Sequence, residues 1–179
     1  IAAANDPLLR IFTTSGNPAQ TPQSNCGGDW KPCNPQSCDD YSAVAYFFAR
    51  ELRQKLNVPV GMIVSARGST PIEAWTSRDA MQDRPELREL LAGWEKKAAD
   101  YHPDAAQSEY VRAKLAWQEV VKSASITGSP APKEPKVPIP PREQPQHPAV
   151  MFNALVAPVI PYAVRGVLWY QGEYNAQTE

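Results

Sequence analysis

Apolar residues recur at helical spacing from Tyr41 onward. Tyr41, Val44, Ala45, Phe48, Leu52 and Leu56 share one face, while Arg50, Arg53 and Gln54 take the other. Asp39 or Asp40 is suited to cap the start of this helix, and Asn57 with Pro59 closes it. The pattern then changes. VGMIVS, Val60 to Ser65, is a continuous apolar run of strand length, the form expected of a strand buried on both faces in a parallel sheet. LLRIFTT, Leu8 to Thr14, predicts a short strand before the helix, and GVLWYQ, Gly166 to Gln171, reads as another buried strand near the end. A helix followed by a buried strand, repeated, predicts an α/β layered fold. Three strands are too few for a complete sheet, which suggests a partial domain.

Two longer helical patterns lie between the later strands. PELRELLAGWEKKAADY puts Leu87, Leu90, Leu91, Trp94, Ala98 and Tyr101 on one face; SEYVRAKLAWQEVVKSA does the same with Tyr110, Ala113, Trp117 and Val120. The HPD at His102 to Asp104 breaks one helix and starts the next, predicting an αα-hairpin. Ser129 to Pro148 follows and holds eight of the chain's 19 prolines, an extended polyproline-like connector rather than core. Residues 84–148 therefore read as an insertion that decorates the α/β domain, with the connector a spacer in preference to an SH3-type ligand. No internal repeat is visible.

Composition narrows the function classes. Hydrophobic residues make up 42% and charged residues 21% of 179 positions, as in a single globular domain. Lys and Arg total 18 against 19 Asp and Glu, so no basic field points to nucleic acid or to an anionic membrane. No apolar run approaches the roughly 20 residues of a membrane helix. The chain opens on Ile1 and stops at YNAQTE just after a motif-like stretch, so a fragment of a longer protein is expected. Cys26, Cys33 and Cys38 have spacings of seven and five, which match neither a zinc ribbon nor a CxxC redox pair. One bridge, most simply Cys26 to Cys33, would suit an exported protein; three unpaired thiols in a loop are the alternative. No structural metal is implied.

The stretch IVSARGSTPIEAW, Ile63 to Trp75, reads as a strand, a sharp turn and a helix start. Thr70 as cap, Pro71 at the first helical position and Glu73 at the third would form a capping box. Free backbone N–H groups then point out of the turn, at the carboxyl end of a strand where α/β folds bind ligands. The N–H groups of Gly68 and Ser69 would be placed to stabilise a developing oxyanion. Ser69 could instead be a nucleophile in a strand–turn–helix elbow, although the G-x-S-x-G pattern is absent. A plain, well-capped βα turn is the third possibility.

The end of the chain is more specific. FNALVAPVIPYAVRGVLWYQGEYN, Phe152 to Asn175, resembles the sialate O-acetylesterase family, whose corresponding stretch reads close to WYQGESN. VPVGMIVSARGSTPIEAWTS also resembles that family, where the turn is commonly SSWGGTPIEAW, and DYSAVAYFFARELRQKL matches the helix before it. The resemblance covers most of the chain, the helical and proline-rich insertion being its more variable part. It implies an SGNH hydrolase, a carbohydrate acetylesterase with a flavodoxin-like three-layer α/β/α fold, here partial.

Such enzymes remove acetyl groups from sugar hydroxyls, so the resemblance implies an acetylated carbohydrate substrate, sialic acid or polysaccharide, and no metal or organic cofactor. A secreted or periplasmic location fits. The family's serine lies in an early GQSN-type motif and its histidine in a late DxxH motif. Neither occurs here, and no Asp stands three residues before His102 or His147. This chain would thus supply oxyanion-hole donors and part of the sugar pocket, and be inactive alone. The resemblance assigns Gly68, Ser69 and Gln171 to the oxyanion hole, with Gly172 allowing close approach and Glu173 orienting Gln171 or the catalytic loop. Arg67, Thr70, Trp75, Tyr174 and Asn175 would face substrate. Three positions depart from the family: Arg67 stands at a tryptophan, Ser69 at a glycine and Tyr174 at a serine. A left-handed backbone at Ser69 would be costly for a residue with a Cβ. The rival from another class is a non-catalytic carbohydrate-binding module that keeps Trp75, Trp169 and Tyr174 without turnover.

Overall fold

The computed structural model describes residues 4–38 and 41–177, so Asp39 and Asp40, the expected helix caps, lie outside it. A three-stranded sheet is built from β1 (Asp6–Thr13), β2 (Trp30–Cys33) and β3 (Val60–Val64) in the order β2-β1-β3. β1 runs parallel to β3, with Leu9 opposite Val60 and Thr13 opposite Val64, and antiparallel to β2. A parallel pair needs a crossover, and α1 (Ala43–Leu56) supplies it. Leu9 and Ile11 of β1 are buried, whereas Leu8 and Arg10 between and beside them are exposed. The chain is mixed α/β, with a small sheet and flanking helices.

α1 forms where its periodicity predicts, with two differences. Ser42 is its cap, accepting a hydrogen bond from the Ala45 amide. Asn57 closes it in the left-handed conformation (φ 51°) and donates its N–H to the Arg53 carbonyl. The buried face is the narrow one of Ala45 and Ala49, the latter set against Leu9, Cys33 and Cys38, while Val44, Phe48 and Leu56 of the predicted stripe are exposed. Small residues bring α1 close to the sheet, and Arg53 fastens it with an ion pair to Asp6 of β1 at 3.4 Å.

The strands depart further from expectation. β3 is half-buried and has β1 on one side only, so its apolar run serves an edge strand rather than a central one. Gly166 to Gln171, read as a buried strand, forms no strand: Val167 and Tyr170 are 79% and 78% exposed. A strand needs a neighbour for its backbone groups, and this segment pairs with none among the described residues. Conversely, β2 was hidden in a Gly- and Pro-rich loop. Pro32 cannot donate to a ladder, which confines β2 to the edge it occupies.

α2 (Arg78–Gln82) precedes the insertion, which holds α3 (Pro85–Ala99) and α4 (Pro103–Thr127), both opening on proline. α3 and α4 follow one another across the His102 break, yet their faces meet different partners. α3 packs on α2 and on the turn Pro141–Glu143, with Leu91 joining Met81 and Ala149 in a small core. α4 is lined by the proline-rich connector running back along it: the Trp117 indole donates to the Pro132 carbonyl at 2.9 Å, and Lys114 pairs with Glu134 at 3.1 Å. On that face Val121 is the half-buried residue and Val120 is exposed.

The expected Cys26–Cys33 bridge does not form. All three cysteines are unbonded, and the two that meet are Cys33 and Cys38, buried with sulfurs 3.3 Å apart. Burial and the Cys38 thiol push Cys33 up to about 11, so it stays protonated at neutral pH. A thiol-reactive disulfide reagent should therefore modify Cys26 quickly in the folded protein and Cys33 and Cys38 only after unfolding; three fast thiols under native conditions would contradict this burial.

His147, expected as a surface residue of the connector, is only 1% exposed. Its ring lies edge-on against Trp94, Nδ1 meets the Pro148 carbonyl, and Nε2 has no partner among the described residues. The charged groups around it are Glu95, Arg78 and Arg142, which pair with one another. Burial holds His147 below its usual value of 6.5, so the fold favours the neutral ring. Stability present above that value is accordingly lost as pH falls and the unfolded chain takes up the proton, by at most about 1.4 kcal/mol per pH unit. Urea midpoints of wild type and His147→Gln should converge between about pH 8 and about pH 5; a constant difference would rule out His147 as the titrating group.

Candidate functional site

The turn leaving β3 is held from beneath by one side chain. The Thr70 hydroxyl donates to the Arg67 carbonyl at 2.7 Å and accepts the Trp75 indole N–H at 2.8 Å. Thr70 is buried, and Trp75, 8% exposed, packs in the core of Ala74, Val150, Met151, Ala154 and Leu155. This arrangement replaces the expected capping box. Ile72–Trp75 is a single 3-10 turn preceded by extended Pro71, with no side-chain cap. Thr70 spends its hydroxyl on the turn and the core, and Glu73 points elsewhere.

Glu73 accepts hydrogen bonds from Asn175 Nδ2 at 3.1 and 3.3 Å. Asn175 in turn accepts the Ile72 amide at 2.9 Å and Gln171 Nε2 at 3.0 Å through its Oδ1. Gln171 Nε2 lies 3.4 Å from the Thr70 carbonyl, the long end of hydrogen-bond range. The closing motif is therefore docked on the turn through Asn175, which occupies the first free amide of the 3-10 helix. Gly172 has φ 149°, a conformation that a side chain would strain, although an added Cβ would meet open space.

Ser69 adopts φ 59°. For a residue with a Cβ this left-handed conformation costs about 1–2 kcal/mol, which the surrounding contacts must offset. Its carbonyl accepts Gln146 Nε2 at 2.7 Å. Three carbonyls in the span Arg67 to Thr70 are thus held by side chains from three segments, Thr70, Gln146 and Gln171. The N–H groups of Gly68 and Ser69 have no partner among the described residues and both residues are exposed.

Of the residues singled out in the sequence, Arg67, Gly68 and Ser69 face solvent on the turn; Gln171, Gly172, Tyr174 and Asn175 lie half-buried beside it, with Glu173 exposed. Thr70 and Trp75 are buried under the turn and present no surface to a ligand. The orienting partner of Gln171 is Asn175, not Glu173. Gln146 went unrecognised in the sequence because it sits in a proline-rich connector with no motif; only folding brings it across 77 residues to Ser69. No cluster of His, Cys, Asp or Glu that could hold a metal occurs among the described residues.

The chain is 29% identical over 147 residues to the sialate O-acetylesterase of Rattus norvegicus, a match covering 75% of the chain and 22% of that protein. The sialate O-acetylesterase of Homo sapiens is 27% identical over 134 residues, covering 75% and 17%. A crystal structure of a carbohydrate acetylesterase from Xanthomonas citri superposes with a TM-score of 0.61 at 28% identity, over 98% of this chain and 27% of that one. No protein-family model matches. The chain is thus similar to the sialate O-acetylesterases, as its motifs implied, and spans about a fifth of the length of the curated proteins it matches.

The Thr70 hydroxyl makes one quantity measurable. Thr70→Val keeps the shape and removes both hydrogen bonds, leaving the buried Trp75 N–H unpartnered. A loss of about 1–3 kcal/mol in urea unfolding is expected, and a neutral substitution would show that the turn is not braced from the core.

Proposed function

We propose that this chain forms part of a carbohydrate O-acetylesterase with an SGNH-type α/β/α fold, contributing the oxyanion hole to a serine mechanism. The observation that carries the reading is the turn on which side chains hold the Arg67 and Ser69 carbonyls while the N–H groups of Gly68 and Ser69, both exposed residues, have no partner among the described residues. A serine from outside the motifs present here, activated by an Asp–His pair, attacks the acetyl carbonyl. Negative charge develops on the carbonyl oxygen, and preorganised donors stabilise it at little reorganisation cost. Collapse releases the sugar hydroxyl and leaves an acetyl-serine, which water hydrolyses to acetate. The Gly68 and Ser69 amides are two donors. Gln171 is the third: Asn175 holds one of its Nε2 hydrogens at 3.0 Å, and the other gives up its 3.4 Å contact with the Thr70 carbonyl to meet the oxyanion. Arg67, Tyr174 and the exposed Trp169 flank the turn or its docked loop and suit contact with the sugar. Thr70 and Trp75 support the turn and do not touch substrate.

Ser69 contributes through its backbone in this reading. No hydrogen bond joins its hydroxyl to a histidine among the described residues, and the buried His147 ring is engaged with Trp94 and Pro148. A second reading, a non-catalytic carbohydrate-binding module, draws support from the exposed aromatic run at Trp169 and Tyr170.

Acetate release from O-acetylated sialic acid and from acetylated xylo-oligosaccharide by the protein carrying this chain separates the two. Gln171→Ala should lower kcat by about 100- to 1,000-fold, while Ser69→Ala stays within about threefold of wild type because the amide is retained. Residues 1–179 alone should release none. Loss of all activity in Ser69→Ala would make Ser69 the nucleophile, and sugar binding without acetate release would favour the binding module.

A further inference from the structure

We infer that Gln146, at the end of the inserted proline-rich connector, is a positioning residue that sets the direction of the Ser69 N–H donor. The inference rests on the proposed oxyanion role of this turn. The Gly68 N–H lies in the same peptide plane as the Arg67 carbonyl, which Thr70 Oγ1 holds at 2.7 Å. The Ser69 carbonyl lies in the peptide plane that follows Ser69, which Gln146 Nε2 holds at 2.7 Å. The plane carrying the Ser69 N–H is between these two. With both neighbours fixed, the torsions of Gly68 and Ser69 are fixed, and the left-handed φ of 59° at Ser69 is maintained. Without Gln146 the following plane is released, the chain can relax toward negative φ, and the N–H swings away.

Gln146 is itself held firmly enough to do this. His147 beside it is buried against Trp94, and its amide bonds the Gln144 carbonyl at 3.0 Å. Two residues on, the Ala149 amide donates to the Glu73 carbonyl at 2.9 Å, so the connector ends strapped across the 3-10 turn. Val150 and Met151 then enter the core with Trp75. The insertion is thereby wired to the site at one side-chain amide, while α3 and α4 carry no residue of the turn.

Three substitutions in the protein carrying this chain test the inference. Gln146→Ala removes the donor, Gln146→Glu keeps the shape but presents an acceptor to a carbonyl, and Gln146→Lys keeps a donor. With p-nitrophenyl acetate, the Ala and Glu variants should lose about ten- to a hundredfold in kcat with KM within about twofold, and the Lys variant should retain most of it. The three-bond HN–Hα coupling of Ser69, which reports its φ, is read in parallel by NMR and should change in the Ala and Glu variants only. Equal kcat in all four proteins, or a Lys variant as poor as Ala, would overturn the inference. A changed coupling with unchanged kcat would reduce Gln146 to a structural contact. A wild-type protein without esterase activity would sink the esterase reading instead, and the coupling alone would then decide whether Gln146 holds the turn.

Discussion

The hydroxyl of Thr70 is the contact on which the rest of this arrangement depends. It joins a buried indole to an exposed turn, receiving one hydrogen bond from the core and giving one to the Arg67 carbonyl. Buried polar groups must be satisfied, and an indole N–H at Trp75 would otherwise have no partner in its apolar surroundings. Meeting that need fixes where the turn leaves β3. The position of Arg67, Gly68 and Ser69 at the surface is therefore a consequence of core packing below them.

Two loops far apart in sequence complete the brace. Asn175 occupies the Ile72 amide and the Glu73 carboxylate from one side, and Gln146 takes the Ser69 carbonyl from the other. Each is a directional contact of a neutral amide, worth on the order of 1 kcal/mol net. Their combined effect is geometric. They hold a serine in a left-handed conformation that its own sterics disfavour.

The legible parts of the fold were those set by neighbours in sequence. The α1 span followed from its periodicity and from Asn57, which tolerates the left-handed conformation that closes the helix. Pro85 and Pro103 stand at the starts of α3 and α4 for another local reason, a fixed negative φ and a missing N–H that the first turn does not need. The failures were of another kind. Val167 to Tyr170 have a strand's composition, yet without a neighbouring strand among the described residues they remain irregular and exposed. Thr70 and Glu73 have the spacing of a capping box, yet Trp75 and Asn175 compete for their side chains and win. The cysteines show it again: the pair that meets is Cys33 and Cys38, because β2 and the approach to α1 converge on Leu9 and Ala49.

By itself the sequence determined α1, α3 and α4, the strand entering the turn, and the likeness carried by its two motifs, since these depend on local propensity and on residue identity. Only the tertiary structure decided which of the motif residues point inward. Thr70, Trp75 and Asn175 carry the chemistry of ligand contacts and are engaged instead with the protein, while Gln146, unmarked in the sequence, reaches the site. Hydrogen-bond donors and acceptors are satisfied by whatever packing brings near, and spacing along a chain does not specify that partner across a hundred residues.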